Sequence, residues 1–346
     1  MEVADRGGSD LHLTAGLPPV ARVHGRLEHL GDQVLTPADL ERLLYEILTE
    51  SQQKLLEHKA ELDFAYFIDE TRFRVDVFRQ RGSFAAAFRV VPSQIKSFSE
   101  LGLPADVMQQ LSLTPRGLVI ITGPTGAGKS TTLAAMIDYI NTQRDCHIVT
   151  IEDPIEFHHS HRKSIVNQRE VGPDTASFSD ALKYVLRQDP DVILIGEMRD
   201  LETVQAALTA AETGHLVLTT LHTSDATQTV DRMVDVFPPQ QQHQVRVQLA
   251  STLQGVLSQQ LLRSDHDEGR TLVTEVLIAT PAVRHLIREG KAHQITTVLQ
   301  TGQKEGMHTM DQSLCDAVKS ARVSVETAIE AAIDPAAVGQ ACRGYQ

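Results

Sequence analysis

LVIITGPTGAGKSTTLAAMIDYI, residues 118–140, decides the fold of this 346-residue chain. LVIIT reads as a short buried strand, and TTLAAMIDYI, free of glycine and proline, suits a helix. Between them, Gly123-Pro124-Thr125-Gly126-Ala127-Gly128-Lys129-Ser130 matches GxxxxGK[ST] in full. The spacing has a physical reason: glycines let backbone N–H groups wrap a phosphate, and the helix N-terminus adds positive potential. Lys129 then reaches the β- and γ-phosphates, Ser130 can ligate magnesium, and Thr131 completes the expected ATP-binding set. A chance glycine-rich turn would not need a strand before it and a helix after it.

Three more apolar runs follow: HIVTI at 147–151, VILIG at 192–196 and LVLTTL at 216–221. Alternating with helical stretches, they predict βαβ units around a parallel sheet. Such a sheet binds ligands outside the carboxyl ends of its strands, so the residues ending each run are the candidates for chemistry. They are Glu152 with Asp153, then Glu197, then His222. Glu197 stands where a hydrolysing phosphate-loop enzyme needs a carboxylate to orient and deprotonate water. The Asp that would hold magnesium through water is missing, because Gly196 takes its place; Glu152 or Asp153 can supply that charge through water. His222 is either a γ-phosphate sensor or a structural histidine. Arg199 and Asp200 read as a loop pair before the helix LETVQAALTAAETG, whose Leu201, Val204, Leu208 and Ala211 share a face and whose stop is Gly214.

Residues 150–164, TIEDPIEFHHSHRKS, place three acids near His158, His159 and His161. The histidines lack the i,i+4 pairing or cysteine partners of a zinc site, so HHSHRK reads as a polar turn between two short strands, IEF and SIVNQ. Upstream, FAYFIDE, TRFRVDVF and SFAAAFRVV alternate with a period of two, as half-buried antiparallel strands do. These features predict an N-terminal domain over 1–98, a linker over 99–110 and a second domain over 111–346, mainly helical after about 225. RSDHDEGR at 263–270 reads as a solvated loop.

The 32 Lys and Arg against 45 Asp and Glu give a net charge of -13, so no nucleic-acid partner is expected. The first ten residues lack the features of a signal peptide and there is no long apolar run, which predicts a cytoplasmic protein. Cys146, Cys315 and Cys342 are widely spaced, and reduced thiols are expected.

ITGPTGAGKSTT, TIEDPIEF, LRQDPDVILIGEMRDLET and TGHLVLTTLHT resemble the four nucleotide-site boxes of the secretion ATPase superfamily: Walker A, the Asp box, Walker B and the His box. There the Gly-Glu ending of Walker B is normal, which accounts for Gly196. Within that superfamily the chain is most similar to the PilT group, the type IV pilus retraction ATPases. SDLHLTAGLPP, DRMVDVFP, AVRHLIREGKAHQI and TGQKEGMHTMDQSL carry the likeness across nearly the whole chain. Ala282, Val283, Arg284, His285, Leu286, Ile287, Arg288 and Glu289 resemble the AIRNLIRE motif linked to retraction, with Val283 and His285 replacing Ile and Asn. From its own pattern this segment is an amphipathic helix with Val283, Leu286 and Ile287 on one side and Gly290 as its stop.

The resemblance implies an α/β protein: a PAS-like α+β domain followed by a RecA-like P-loop ATPase domain with a helical C-terminal part. It further implies ATP and Mg2+, a ring-shaped homohexamer, and arginines offered to a neighbour's γ-phosphate, for which Arg74, Arg81 and Arg89 lie in matching segments. The implied partners are an inner-membrane pilus platform protein and a second retraction ATPase, with the motor peripheral at the inner membrane. Pilus-assembly and type II secretion ATPases are the alternatives; they typically carry a tetracysteine zinc subdomain that this chain lacks. A RecA-like nucleic-acid motor and a regulatory subunit that binds ATP without hydrolysing it are the remaining readings.

Overall fold

The computed structural model describes residues 2–23, 25–68, 71–91, 95–264 and 269–344. Part of the connector after Val91 and the middle of RSDHDEGR lie outside the described residues. Two compact units emerge: Met1–Gln94 with Glu156–His158, and Ile95–Ile155 with His159–Gln346.

The first unit opens with α1 (Glu2–Asp5), β1 (Gly8–Leu13), β2 (Val20–Val23) and β3 (Arg26–His29). Helices α2 (Pro37–Ile47) and α3 (Glu50–Lys59) precede β4 (Glu61–Ile68), β5 (Thr71–Gln80) and β6 (Ser83–Val91). The six strands form one antiparallel sheet in the order β3-β2-β1-β6-β5-β4. Alternation in sequence becomes two-sidedness in space: Phe73, Val75 and Val77 of β5 pack with Leu44, Leu48 and Leu56 of the helical layer. Thr36 starts α2 because its hydroxyl accepts the Asp39 N–H, while Asp39 returns the bond and Pro37 presets the first turn.

The second unit begins with α4 (Ala105–Ser112), β7 (Gly117–Thr122), α5 (Lys129–Gln143), β8 (His147–Glu152) and β9 (Ile165–Glu170). It continues through α6 (Phe178–Val185), β10 (Val192–Ile195), α7 (Leu201–Glu212), β11 (Leu216–Leu221), α8 (Ala226–Asp235) and α9 (Pro239–Thr252). Then come β12 (Leu253–Arg263), β13 (Arg270–Ile278), α10 (Pro281–Arg288), α11 (Ile295–Thr301), α12 (Met310–Lys319), α13 (Val325–Ala331) and α14 (Pro335–Ala341). A seven-stranded sheet runs β13-β12-β7-β11-β10-β8-β9, parallel in every pairing except β12 with β13. Strands β7, β10 and β11 are buried along their whole length. Sheets covered on both faces read as continuous apolar runs, which is why the sequence shows them plainly. On one face lie Met108, Leu111, Met136, Ile137 and Ile140 from α4 and α5; on the other, Leu182, Val204, Leu208, Val230 and Leu249 from α6 to α9.

The α/β class and the RecA-like arrangement expected from the sequence are present. After residue 225, β12 and β13 extend the main sheet before the helical C-terminal part begins at Pro281. The sequence pattern does not mark these strands, because β12 starts at the residue after α9 without a turn and its buried Ser258 and Gln259 break the apolar run. IEF forms no strand; the chain leaves the sheet at the cis Asp153–Pro154 peptide and returns only at β9. HHSHRK is a polar loop, exposed except at His159, and it is anchored from within. His159 is buried and its N–H donates to Gln168 Oε1, His161 Nδ1 accepts the Val166 N–H, and the buried Asn141 of α5 donates to Ser160 O.

All three cysteines are free, although tertiary packing brings the Cys315 and Cys342 sulfurs to 3.6 Å. Burial and the Cys342 thiol push the Cys315 thiol up to about 11, which keeps it protonated at neutral pH. Among the described residues, no helix is long and apolar enough to cross a membrane.

Candidate nucleotide site at the strand ends

The sheet order places the candidate side chains. Reading β8, β10, β11 and β7 in turn, the strands end at Glu152, just before Glu197, just before His222, and at the phosphate loop. Parallel register aligns these ends, since Ile151 pairs with Ile195, Ile195 with Thr219, and Leu221 with Thr122. A sequence that separates Glu152 from His222 by seventy residues therefore folds them onto one edge.

The phosphate loop needs its glycines. Gly128, with φ of 87°, lets the chain enter α5, and a Cβ on Gly123 would lie 2.2 Å from Gln259 O. Gln259 of β12 anchors the loop from beneath: its Nε2 donates to Ala127 O at 2.6 Å and its Oε1 accepts from Thr132 Oγ1 at 3.0 Å. Nothing local in the sequence marks this anchor, because Gln259 lies 132 residues from Ala127. Pro124, Thr125 and Gly126 are exposed at the tip, whereas Ala127 is buried and Ser130 and Thr131 are half-buried. Lys129 is buried, and its ammonium donates to Gly123 O at 2.8 Å and Pro124 O at 3.0 Å, with His222 Nδ1 3.5 Å away.

His222 bridges toward the carboxylate: its Nε2 is 3.5 Å from Glu197 Oε2. The turn behind it is tied to β7, because Thr223 N–H donates to Thr122 Oγ1 at 3.0 Å and Thr122 Oγ1 donates to Thr223 O at 2.6 Å. The other Glu197 oxygen, Oε1, lies 2.7 Å from Arg199 Nε. Between them Met198 is buried and its N–H donates to Thr220 O, so Glu197 and Arg199 emerge together on the opposite side. The expected Arg199–Asp200 loop pair is thereby corrected. Asp200 is the N-cap of α7, accepting from Thr203, and Arg199 turns to Glu197.

Glu152 sits on the neighbouring strand end, where a Cβ on Gly196 would come within 3.4 Å of its Cα. Its Oε1 accepts from Thr150 Oγ1 at 2.6 Å and Gln168 Nε2 at 3.1 Å, while Asp153 is exposed. The hydroxyl of Ser130 and the carboxylates of Glu152 and Asp153 are hard oxygen donors, the ligand type magnesium prefers beside substrate phosphates.

The remaining candidates lie elsewhere. Arg74 and Arg89 face each other across β5 and β6; Arg74 is hydrogen-bonded to Asp63 and Arg89 to Asp10 at 2.9 Å. Arg81 occupies the hairpin turn with φ of 49°. In the segment Ala282–Glu289, Val283 and Ile287 are buried and Leu286 packs beside them, with Gly290 in the left-handed conformation after the helix. Arg284 instead closes the end of α9, donating to Ala250 O at 2.6 Å and Ser251 O at 3.0 Å; burial lowers the pKa of its guanidinium. Ala282, His285, Arg288 and Glu289 remain on the surface.

This fold and this edge define a P-loop ATPase. Comparison with known proteins narrows the class: the profile of the type II/IV secretion system protein family matches residues 2–330, and the chain belongs to that family. It is 49% identical over 333 residues to the type IV pilus retractation ATPase PilT of Pseudomonas aeruginosa, covering 96% of each chain. It is also 49% identical over 311 residues to a twitching motility protein of Neisseria gonorrhoeae, covering 90% of this chain and 83% of the relative. The crystal structure of the pilus retraction motor PilT with bound ADP superimposes with a TM-score of 0.90 at 49% identity, covering 96% of each chain. The expected resemblance to pilus retraction ATPases is thus borne out.

Proposed function

We propose that this chain is the ATP-hydrolysing motor of type IV pilus retraction. The observation that carries the reading is the run Glu197, His222 and Lys129, linked by contacts of 3.5 Å along one sheet edge, in a chain nearly half identical to PilT. In this reading Lys129 exchanges its loop carbonyls for the nucleotide's phosphates. Glu197 takes a proton from water as that water attacks the γ-phosphorus and ADP leaves. His222 stands between base and phosphates as a γ-phosphate sensor. Ser130, with Glu152 and Asp153 through water, would hold Mg2+, whose charge offsets that of the phosphates.

Subunits assemble as a homohexamer in which Arg74, Arg81 or Arg89 of a neighbour approaches the γ-phosphate, a role that requires Arg74 and Arg89 to leave their acids. The surface residues of Ala282–Glu289 are a coupling element between ATP turnover and the pilus machinery. The motor works in the cytoplasm at an inner-membrane platform protein, beside a second retraction ATPase.

A strain carrying Lys129→Ala tests this directly. Excess pili without twitching movement are expected; loss of pili would instead establish an assembly role.

A further inference from the structure

Arg199 has no part in the chemistry described above, yet the geometry gives it one. Glu197 sits between the end of β10 and the start of α7, and a glutamate held in one rotamer gives up side-chain freedom. Two contacts bracket its carboxylate. Oε2 faces His222 and, beyond it, Lys129; Oε1 is turned the other way and lies 2.7 Å from Arg199 Nε. The neighbouring acid is already engaged, since Asp200 Oδ1 accepts Thr203 N–H and Oδ2 accepts Thr203 Oγ1, each at 2.9 Å. Burial of Met198 fixes the alternation that sets Glu197 and Arg199 side by side.

We propose that Arg199 is a positioning residue, which holds one oxygen of Glu197 so that the other is aimed at the phosphate loop. It touches neither nucleotide nor water in this role and acts through Glu197; the proposal therefore rests on Glu197 being the base. Its size follows from exposure. The Arg199 side chain is 75% exposed, and an ion pair open to solvent contributes little, which corresponds to about a two- to fivefold change in rate.

The test compares MgATP turnover by the full-length protein and its Arg199→Ala, Arg199→Lys and Glu197→Gln variants. Arg199→Ala should lower kcat about two- to fivefold with KM unchanged, and Arg199→Lys, which keeps the charge, should recover more than half of the loss. An unchanged kcat in Arg199→Ala overturns the proposal, as does failure of Lys to rescue. A raised KM with kcat intact also overturns it, because the guanidinium would then be contacting the nucleotide. The two assignments fail separately: parental turnover by Glu197→Gln removes the base and Arg199 with it, whereas an inactive Glu197→Gln beside an unaffected Arg199→Ala removes Arg199 alone.

Discussion

The two sheets treat charge in opposite ways. In the seven-stranded sheet, the central strands GLVIIT, HIVTIE, VILI and LVLTTL carry no Lys, Arg, Asp or Glu except Glu152 at the last position of its strand. Both faces are covered there, so a charge is tolerated only where the strand runs out into water. The six-stranded sheet packs its apolar core on one face, and Asp10, Asp63, Arg74 and Arg89 lie on the other, along the middle of its strands. Arg74 and Arg89, like charges set directly opposite, are each offset by an acid on the outer side. The same residue types thus form a chemically open cluster at strand ends and a self-satisfied ladder along strand faces.

The sharpest way to break this comparison is Glu197→Gln. At a working strand end it should lower kcat by about 10²–10⁴-fold while nucleotide binding persists, and turnover near the parental rate would leave the edge without its base.

Glu275 of β13 is an exception to the rule, a carboxyl in the interior of the covered sheet, 3% exposed. It accepts N–H groups from Ala226 and Met310, capping α8 and α12, but burial outweighs these bonds and pushes its pKa up to about 7. A carboxyl that holds its proton more tightly when folded contributes stability that is full below about 4.5 and is lost as pH rises through about 7. The shift corresponds to something on the order of 3 kcal/mol. Urea midpoints should therefore fall between pH 4.5 and pH 7 more steeply in the parent than in Glu275→Gln; parallel profiles would show that the group does not titrate in this range.

Gln259 tests the same sheet with an uncharged group. Gln259→Ala leaves the buried Ala127 carbonyl and Thr132 hydroxyl without this partner and should cost about 1–3 kcal/mol, read as a lower urea midpoint together with weaker ATP binding.

The smallest effect belongs to the ladder. Arg89→Ala should change stability by at most about 1 kcal/mol, because its ion pair with Asp10 is exposed on the arginine side. A loss of turnover far beyond that, with the urea midpoint unmoved, would show that Arg89 serves a neighbour's nucleotide rather than its own sheet.

How much of the site was legible depended on whether its chemistry is local. Lys129, Ser130 and the loop glycines are contiguous, and Glu152, Glu197 and His222 each close an apolar run, so a rule about strand ends finds them all. The sequence shows Arg199 two residues from the candidate base with an apolar Met198 between, a spacing that sets the two charges on one side. No such pattern marks Gln259, because in sequence a buried glutamine in β12 looks like any polar surface residue. Cys315 and Cys342 were likewise unreadable as a pair: they are 27 residues apart, one in α12 and the other at the C-cap of α14, and only the packing of these two helices joins them.

By itself the sequence determined which segments are strands buried on both faces, where the phosphate loop turns, and which side chains stand at strand ends. Local sterics and hydrophobic patterning suffice for those, since each depends on residues within a few positions of one another. Only the tertiary structure decided the order of the strands, the insertion of β12 beside the phosphate loop, and the partner each charge takes. Those choices rest on contacts between distant segments, where the burial of one residue is fixed by the shape of another.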